Sequence, residues 1–550
     1  MKVLILGGYG VFGGRLAKLL RDVDGLELMI AGRDLARAQA FCATCHGRAQ
    51  VRPLRLDRLD IADGLRAESP DLVVDASGPF QDYGVDRYGV IESCIAAGID
   101  YLDFADAADF VFGVTQFDAR AKAAGVAVLS GVSSFPVLTA AVLREMAATL
   151  DIVAVEGGIA PSPYAGIGLN VMRAVLSYAG SPIKLLRDRR PARAMGLTES
   201  RRFTVAVPGH LPLRNIRFSL VDVPDLQVIP PEHPAMTDIW MGAGAGPELL
   251  HRVLNCLASA RARFGLPALI PFAGLFHAVL NRLCFGEHRG GMFVRVRGRS
   301  ERGEVVRTWH LLAEGEDGPL IPAMAIEALI RKRLRGQLPA AGARTAIRAL
   351  DLSDYDALFR DRAIVTGFRN EERDGSLYRQ VLGSAFDGLP PRVRELHDGS
   401  QTRRWTGSAQ VRRGTGLLAR MIGGVLGFPE TSADVPVTVT FVPERDGERW
   451  IRDFGGTVFT SVQSVGAGRD QYLLVERFGI ARVALALVRD RERLVFVPRR
   501  WSLLGIPMPG WLLPSGRSFE TERDGRFCFD IAIHMPLVGL IVAYRGTLTP

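Results

Sequence analysis

Short apolar runs alternate with amphipathic ones through the first 131 residues. Val3 to Leu6 is continuously hydrophobic. From Arg15 to about Arg21, Leu16, Leu19 and Leu20 share one helical face, and Arg15 and Lys18 share another. The pattern predicts a strand, a glycine turn over Gly7 to Gly14, and a helix. It recurs in "LELMIAGRD" with the helix "LARAQAF", which Asp34 is placed to N-cap. It recurs again in "VRPLRL" (51–56), in "DLVVDASGPF" (71–80) with the helix "YGVIESCIAAG" closed by Gly98, in "IDYLDFA" with "FDARAKAAG", and in "VAVLSGVSSFP". Repeated strand-helix units with short apolar strands predict a Rossmann-type parallel sheet over 1–131, of the α/β class.

The texture then changes twice. Over 132–355 the alternation of "MFVRVRG" (292–298) and "VVRTWHLLAEG" (305–315) predicts antiparallel strands, hence an α+β mixed-sheet domain for substrate binding or dimerisation. Pro247 starts a helix whose Leu250, Val253, Leu254 and Leu257 form an apolar face. The run "LPALIPFAGLFHAVLNRLCF" (266–285) is long enough to span a bilayer, but Pro267, Pro271, His277, Asn281 and Arg282 argue against spanning. It reads as core, as the lining of an apolar cavity, or as a helix on a membrane surface. A polar connection over 360–375 introduces a β-rich α+β domain, 370–550. Amphipathic helices are expected near 376–388 and 414–427, with strands at "VPVTVTFV", "RWIRDF", "YLLVERF", "RVALALVRD", "RLVFVPRRW" and "RFCFDIAIHMPLVGLIVAYRG". "RDGE" and "RDGR" mark hairpin turns. Inward aromatics in such a curved sheet suit an apolar ligand, and docking or oligomerisation is equally allowed.

Composition adds limits. With 550 residues, 48% hydrophobic and 23% charged, the chain is globular and multidomain. The net charge of +9 is built almost wholly from arginine, the lysines being Lys2, Lys18, Lys122, Lys184 and Lys332. That one-sided usage looks like codon bias and weakens any case for a nucleic-acid partner; none is expected. Six scattered cysteines make no disulfide framework, and the N-terminus lacks the features of an export signal, so a cytoplasmic chain is expected, with membrane association left open. "CATCH" (42–46) matches a haem-attachment spacing but falls where a crossover helix belongs, and no second ligand pair suggests a metal.

The candidate chemistry starts at the first turn. Gly8, Gly10 and Gly13 fit G-x-G-x-x-G, in which glycines permit a tight turn, close approach of a pyrophosphate, and helix-strand packing, with the helix N-terminus facing the anion. Gly8, Tyr9, Gly10, Val11, Phe12 and Gly13 are therefore cofactor-binding candidates. About 20 residues on, where an acidic group would bind the ribose of NAD, stands Arg33, which suits a 2′-phosphate; NADP is expected over NAD. Strand ends place Ser77, Gly78, Pro79 and Phe80 in the same crevice.

The series "GGYGVFGG", "AGR", "DASGPFQDYG", "SCIAAGIDYLDF" and "GVSSFP" resembles the saccharopine dehydrogenase-like oxidoreductases, and "GEHRGGMFVRVRGRSERGEVVRTWHLLAEGEDGPLIP" (286–322) resembles their second domain. The resemblance implies hydride transfer between a nicotinamide cofactor and an unidentified small-molecule substrate, with Ser77 to Phe80 beside the nicotinamide half; the apolar run 266–285 and the aromatic third domain suggest that this substrate is partly apolar. Many members read "YVDLTGE" where this chain has Tyr101 to Asp106, so no role is carried to that glutamate's position. The third domain resembles a family without assigned chemistry that is appended to such chains. As catalytic candidates the chain offers Glu287, His288 and Arg289, at a turn entering a strand: an acid or base and a carboxylate anchor. They compete with a plain polar hairpin. No hydrolase motif is present. A non-catalytic cofactor- or lipid-binding protein on the same fold is the alternative, and a homodimer is left open.

Overall fold

The computed structural model describes residues 1–550 apart from 85, 245, 302, 372–374 and 400, and apart from the side chain of Asp82. The chain forms two compact units, residues 1–201 with 217–365, and residues 202–216 with 366–550.

In the first unit the elements run β1 (Lys2–Leu6), α1 (Val11–Leu20), β2 (Glu27–Gly32), α2 (Leu35–Cys42), β3 (Gln50–Arg55), α3 (Ile61–Glu68), β4 (Leu72–Asp75), α4 (Gly89–Ala97), β5 (Asp100–Asp103), α5 (Ala108–Gly113), α6 (Asp118–Ala124) and β6 (Ala127–Ser130). The strands are parallel in the order β6-β5-β4-β1-β2-β3. β1, β4 and β6 are buried on nearly every residue, which is why they read as unbroken apolar runs. The order reverses between β1 and β4, where such sheets open a crevice at their carboxyl ends. Two features depart from the sequence reading. α1 begins at Val11 rather than Arg15, so Gly13 and Gly14 lie inside the helix; packing there overrides their poor helix propensity. A later strand, Gly342–Thr345, also joins the sheet, parallel to β6.

The rest of the first unit is a mixed sheet in which Asp151–Ala160 lies between Asp238–Gly244 and Arg289–Ser300, the latter forming a long hairpin with Gly303–Glu314. Glu248–Phe264 is helical after Pro247 as expected, but its face is turned differently. His251 and Ala258 are buried, while Val253 and Leu257 are exposed. The long apolar run breaks into a short turn at Ile270–Phe272 and the helix Ala273–Arg282. Among the described residues no helix is long and apolar enough to cross a membrane.

The second unit is a closed antiparallel barrel. In sequence its strands are Arg403–Arg413, Ser432–Glu444, Gly447–Phe454, Thr457–Val465, Leu474–Phe478, Ala481–Asp490, Arg493–Leu503, Ser518–Arg523, Arg526–Met535 and Gly539–Thr549, the last pairing back to the first. The "RDGE" and "RDGR" turns close hairpins at Glu444–Gly447 and Arg523–Arg526. Three strands escaped the sequence reading, Arg403–Arg413, Thr457–Val465 and Ser518–Arg523, because polar outward residues dilute their inward apolar ones. The polar connection read over 360–375 contains the strand Ile364–Asn370; Glu372, Arg373 and Asp374 of that connection lie outside the described residues. The segment 202–216 belongs with the barrel: the Arg369 side chain donates to Ala206 O at 2.6 Å, and the Arg489 N–H donates to Gly209 O at 2.8 Å.

Candidate functional site

At the switch point the loop after β1 lies against the loop after β4. Gly7 takes the left-handed conformation, φ 70°, one residue ahead of the G-x-G-x-x-G spacing, and a Cβ there would stand 2.7 Å from Ala76 O. Each glycine then meets a different wall. A Cβ on Gly8 would strike Ile5 O at 2.9 Å, and one on Gly13 would strike Gly7 O at 2.5 Å and Gly8 Cα at 2.8 Å, so these two hold helix to strand. A Cβ on Gly10 would meet Gly7 O at 2.9 Å and otherwise open space. Gly10 is exposed, caps α1 and presents the helix N-terminus; this is a cradle an anion can enter. Val11 is exposed beside it, and Phe12 turns away to stack on Phe104 at 5.6 Å.

Tyr9 leaves the loop for the end of β2. Its ring lies over Gly32, whose Cβ would come within 2.4 Å of it, and Tyr9 Oη accepts from the Asp34 N–H at 3.1 Å. Asp34 caps α2 by accepting from the Arg37 N–H at 3.1 Å. The Arg37 guanidinium lies 5.1 Å from the Tyr9 ring centroid. Arg37 thus lies against Tyr9 at the rim, and Arg33, between Gly32 and Asp34, is exposed at the same strand end. Arg37 escaped the sequence reading; its i+3 spacing from the Asp34 cap could have signalled it.

Beneath the third wall, Asp75 and Asp103 end adjacent strands in register and are fully buried. Asp75 accepts from the Ser77 N–H at 2.9 Å, from Ser77 Oγ at 2.7 Å and from the Tyr83 hydroxyl. Ser77 therefore faces the carboxylate beneath it and carries Gly78 and Pro79 at the crevice, while Phe80 is buried in a stack with Tyr83. Burial raises the Asp75 carboxyl against these hydrogen bonds. Asp103 Oδ1 accepts from the Ala105 and Gly131 N–H groups at 2.9 and 2.7 Å, and its Oδ2 has no hydrogen-bond partner among the described residues. Burial pushes the Asp103 carboxyl up to about 7. Just beyond β5, Asp106 accepts from Gln81 Nε2 at 3.1 Å.

The segment 162–170 reaches the crevice from the mixed-sheet domain. Asn170 Nδ2 donates to Gly78 O at 2.7 Å, Arg15 donates to Ala165 O at 3.4 Å, and a Cβ on Gly168 would touch Val11 at 3.0 Å. His288 stacks on Tyr164 of this segment, ring centroids 3.7 Å apart, and remains exposed. Glu287 and Arg289 form an ion pair with each other, and Ser162 Oγ donates to Glu287 O at 3.3 Å. So the structure ties His288 to the segment over the glycine loop and turns the flanking charges toward one another. Tyr164 and Asn170 carried no sequence signal, since their positions follow only from this long-range docking. The "CATCH" cysteines are free, and no group of side chains able to hold a metal occurs among the described residues.

Residues 3–129 match the family described as Saccharopine dehydrogenase NADP binding domain, and residues 389–548 match the Domain of unknown function (DUF4166). Over 184 residues the chain is 26% identical to a Bacillus subtilis protein described as Uncharacterized protein YndH, covering 29% of this chain and 89% of that one. The apo saccharopine dehydrogenase (L-Glu forming) of Saccharomyces cerevisiae aligns at 15% identity over 67% of this chain and 99% of its own, with a TM-score of 0.49. An amine dehydrogenase from Mycobacterium smegmatis aligns at 12% identity over 63% of this chain and 95% of its own, with a TM-score of 0.33. By the first of these matches, the N-terminal domain is similar to the nicotinamide-dinucleotide domain of saccharopine dehydrogenases, the coenzyme fold of an oxidoreductase.

Proposed function

We propose that the chain is an NADP-dependent oxidoreductase acting on a partly apolar substrate. The observation that carries the reading is the pairing of an open glycine turn at Gly10 with two exposed arginines after β2: Arg37, whose guanidinium lies against Tyr9, and Arg33, next to the Asp34 that bonds to Tyr9. The first suits a pyrophosphate at a helix N-terminus; the second suits a 2′-phosphate, which offers charged oxygens to forked donors. When bound, the nicotinamide supplies the hydride chemistry. The residues of this chain bind and orient. Gly10 admits the phosphates, Ser77 to Pro79 form the floor on the side of β4, and Asn170 holds Gly78 in place. His288, exposed on Tyr164, is the candidate to carry a proton, with Glu287 and Arg289 fixing its turn.

The substrate class rests on the neighbouring helix Ala273–Arg282. Asn281 clamps it to the covering segment, accepting from the Ile167 N–H at 3.0 Å and donating to Ile167 O at 3.1 Å. Phe272 and Leu275 on this helical arm are exposed, with Arg282 nearby in sequence, which suits an apolar substrate or the surface of an anionic membrane. Calorimetric titration with NADPH and NADH, followed by NADPH oxidation trials with imines, ketones and enoyl thioesters, tests the reading. Tight NADPH binding and turnover of one class support it; absence of dinucleotide binding overturns it. His288→Gln is expected to lower kcat and leave NADPH affinity unchanged.

A further inference from the structure

The barrel of the second unit is hollow. Its interior holds a cavity of about 450 Å³, a size common for small-molecule sites. One end is lined by Tyr378, Leu396 and Trp450, with His397 stacked on Tyr378 at 3.6 Å. The interior polar groups there answer one another. Arg452 donates to Ser461 Oγ at 2.7 Å and to Glu476 at 3.1 Å, Tyr378 donates to Gln463 at 3.0 Å, and His397 meets Glu520 at 2.5 Å. What these pairs leave for a ligand is an apolar wall, including Phe441, Phe454, Phe496 and Phe527.

The other end is different. The helix Leu417–Val425 lines the cavity with Met421, Ile422 and Val425, and Val425 is also 77% exposed. The turns near this end bear further exposed apolar side chains, Ile480, Leu504, Trp511 at 67% and Leu537 at 89%. Leu504 is tied to Ile480 by its N–H donating at 2.9 Å, which joins two of these turns into one lip. Just inside, Trp501 lines the cavity, and its Nε1–H is buried with no acceptor among the described residues. A buried donor left unpaired costs free energy that a ligand oxygen would recover.

The geometry points to a lipid-binding site: the barrel takes a long hydrocarbon chain into its cavity, with a carbonyl or carboxyl oxygen near Trp501. The apolar lip gives the chain a route from a membrane or micelle into the barrel. This site is independent of the nucleotide crevice. It is tested on the delipidated full chain with cis-parinaric acid, whose fluorescence rises in an apolar site. One probe per chain is expected. Ile531→Trp, which places a ring on an inward position of the cavity wall, is expected to weaken binding by about tenfold or more, the scale of losing a few buried methylenes. Trp501→Phe keeps an aromatic, though smaller, side chain and removes the donor, with an expected loss of about 2- to 10-fold. Ala481→Phe, on another wall of the cavity, replaces Ile531→Trp if that variant does not fold. No binding by the wild-type chain, or unchanged affinity in a folded cavity-filling variant, overturns the site.

Discussion

The hydroxyl of Tyr9, a residue of the glycine turn, accepts the backbone N–H of Asp34 at 3.1 Å, so the phosphate loop and the end of β2 are one structure. This linkage fixes the backbone of Arg33 and the start of the helix bearing Arg37 relative to Gly10.

Arg33→Ala is expected to weaken NADPH binding by about 10- to 150-fold, the equivalent of one charge-assisted hydrogen bond of about 1.5–3 kcal/mol. NADH binding should be nearly unchanged. Parallel titrations decide this: equal losses for both cofactors would make Arg33 a support for the loop, and a wild-type preference for NADH would remove the 2′-phosphate reading and turn attention to Asp34.

The glycines separate stability from binding. In Gly13→Ala the new Cβ lies 2.5 Å from Gly7 O and 2.8 Å from Gly8 Cα, both backbone, so α1 must move off β1. A cost of about 1–3 kcal/mol is expected, visible as a lower Tm with or without cofactor. At Gly10, where φ is an ordinary −76° and the one close backbone atom is Gly7 O at 2.9 Å, Gly10→Val should cost less stability than Gly13→Ala and lose dinucleotide binding.

Asp103 makes stability depend on pH in a predictable direction. Its folded carboxyl is raised to about 7, above the unfolded value near 4, so the folded chain holds the extra proton between these limits. Its contribution is fully present below about pH 4 and is lost as pH rises through about 7. Asp103→Asn imitates the protonated form, keeping an acceptor for the Ala105 and Gly131 N–H groups. Urea midpoints measured across pH 4–8 should fall less steeply for the variant than for the wild-type chain. An unchanged slope would mean Asp103 is ionised throughout.

In the barrel, Arg452→Met leaves Glu476 buried without its cation. The loss is expected at about 3–5 kcal/mol, the usual cost of breaking one half of a buried pair, read from urea unfolding. Replacing both partners, Arg452→Met with Glu476→Gln, should recover part of it, because no unpaired charge remains.

The periodicity of burial is local, and what depended on it could be read from the sequence. The βα repeats, the cap at Asp34, the closure at Gly98 and the two Asp-Gly hairpins all follow from side-chain spacing and turn chemistry within a few residues. The glycine motif was visible in the same way, and so was a basic residue at the end of β2. The early start of α1 was not, because Gly13 favours a turn by itself and is helical only where its missing side chain lets helix and strand meet. The tertiary structure alone decided which face of Glu248–Phe264 is covered, since that depends on which distant strand offers a complementary surface. It alone brought Asn170 to Gly78 and Tyr164 to His288, across sequence separations that no pattern spans. Barrel closure has the same origin: Arg403–Arg413 pairs with Gly539–Thr549, and only a closed ring of strands turns alternate apolar residues into the wall of a cavity.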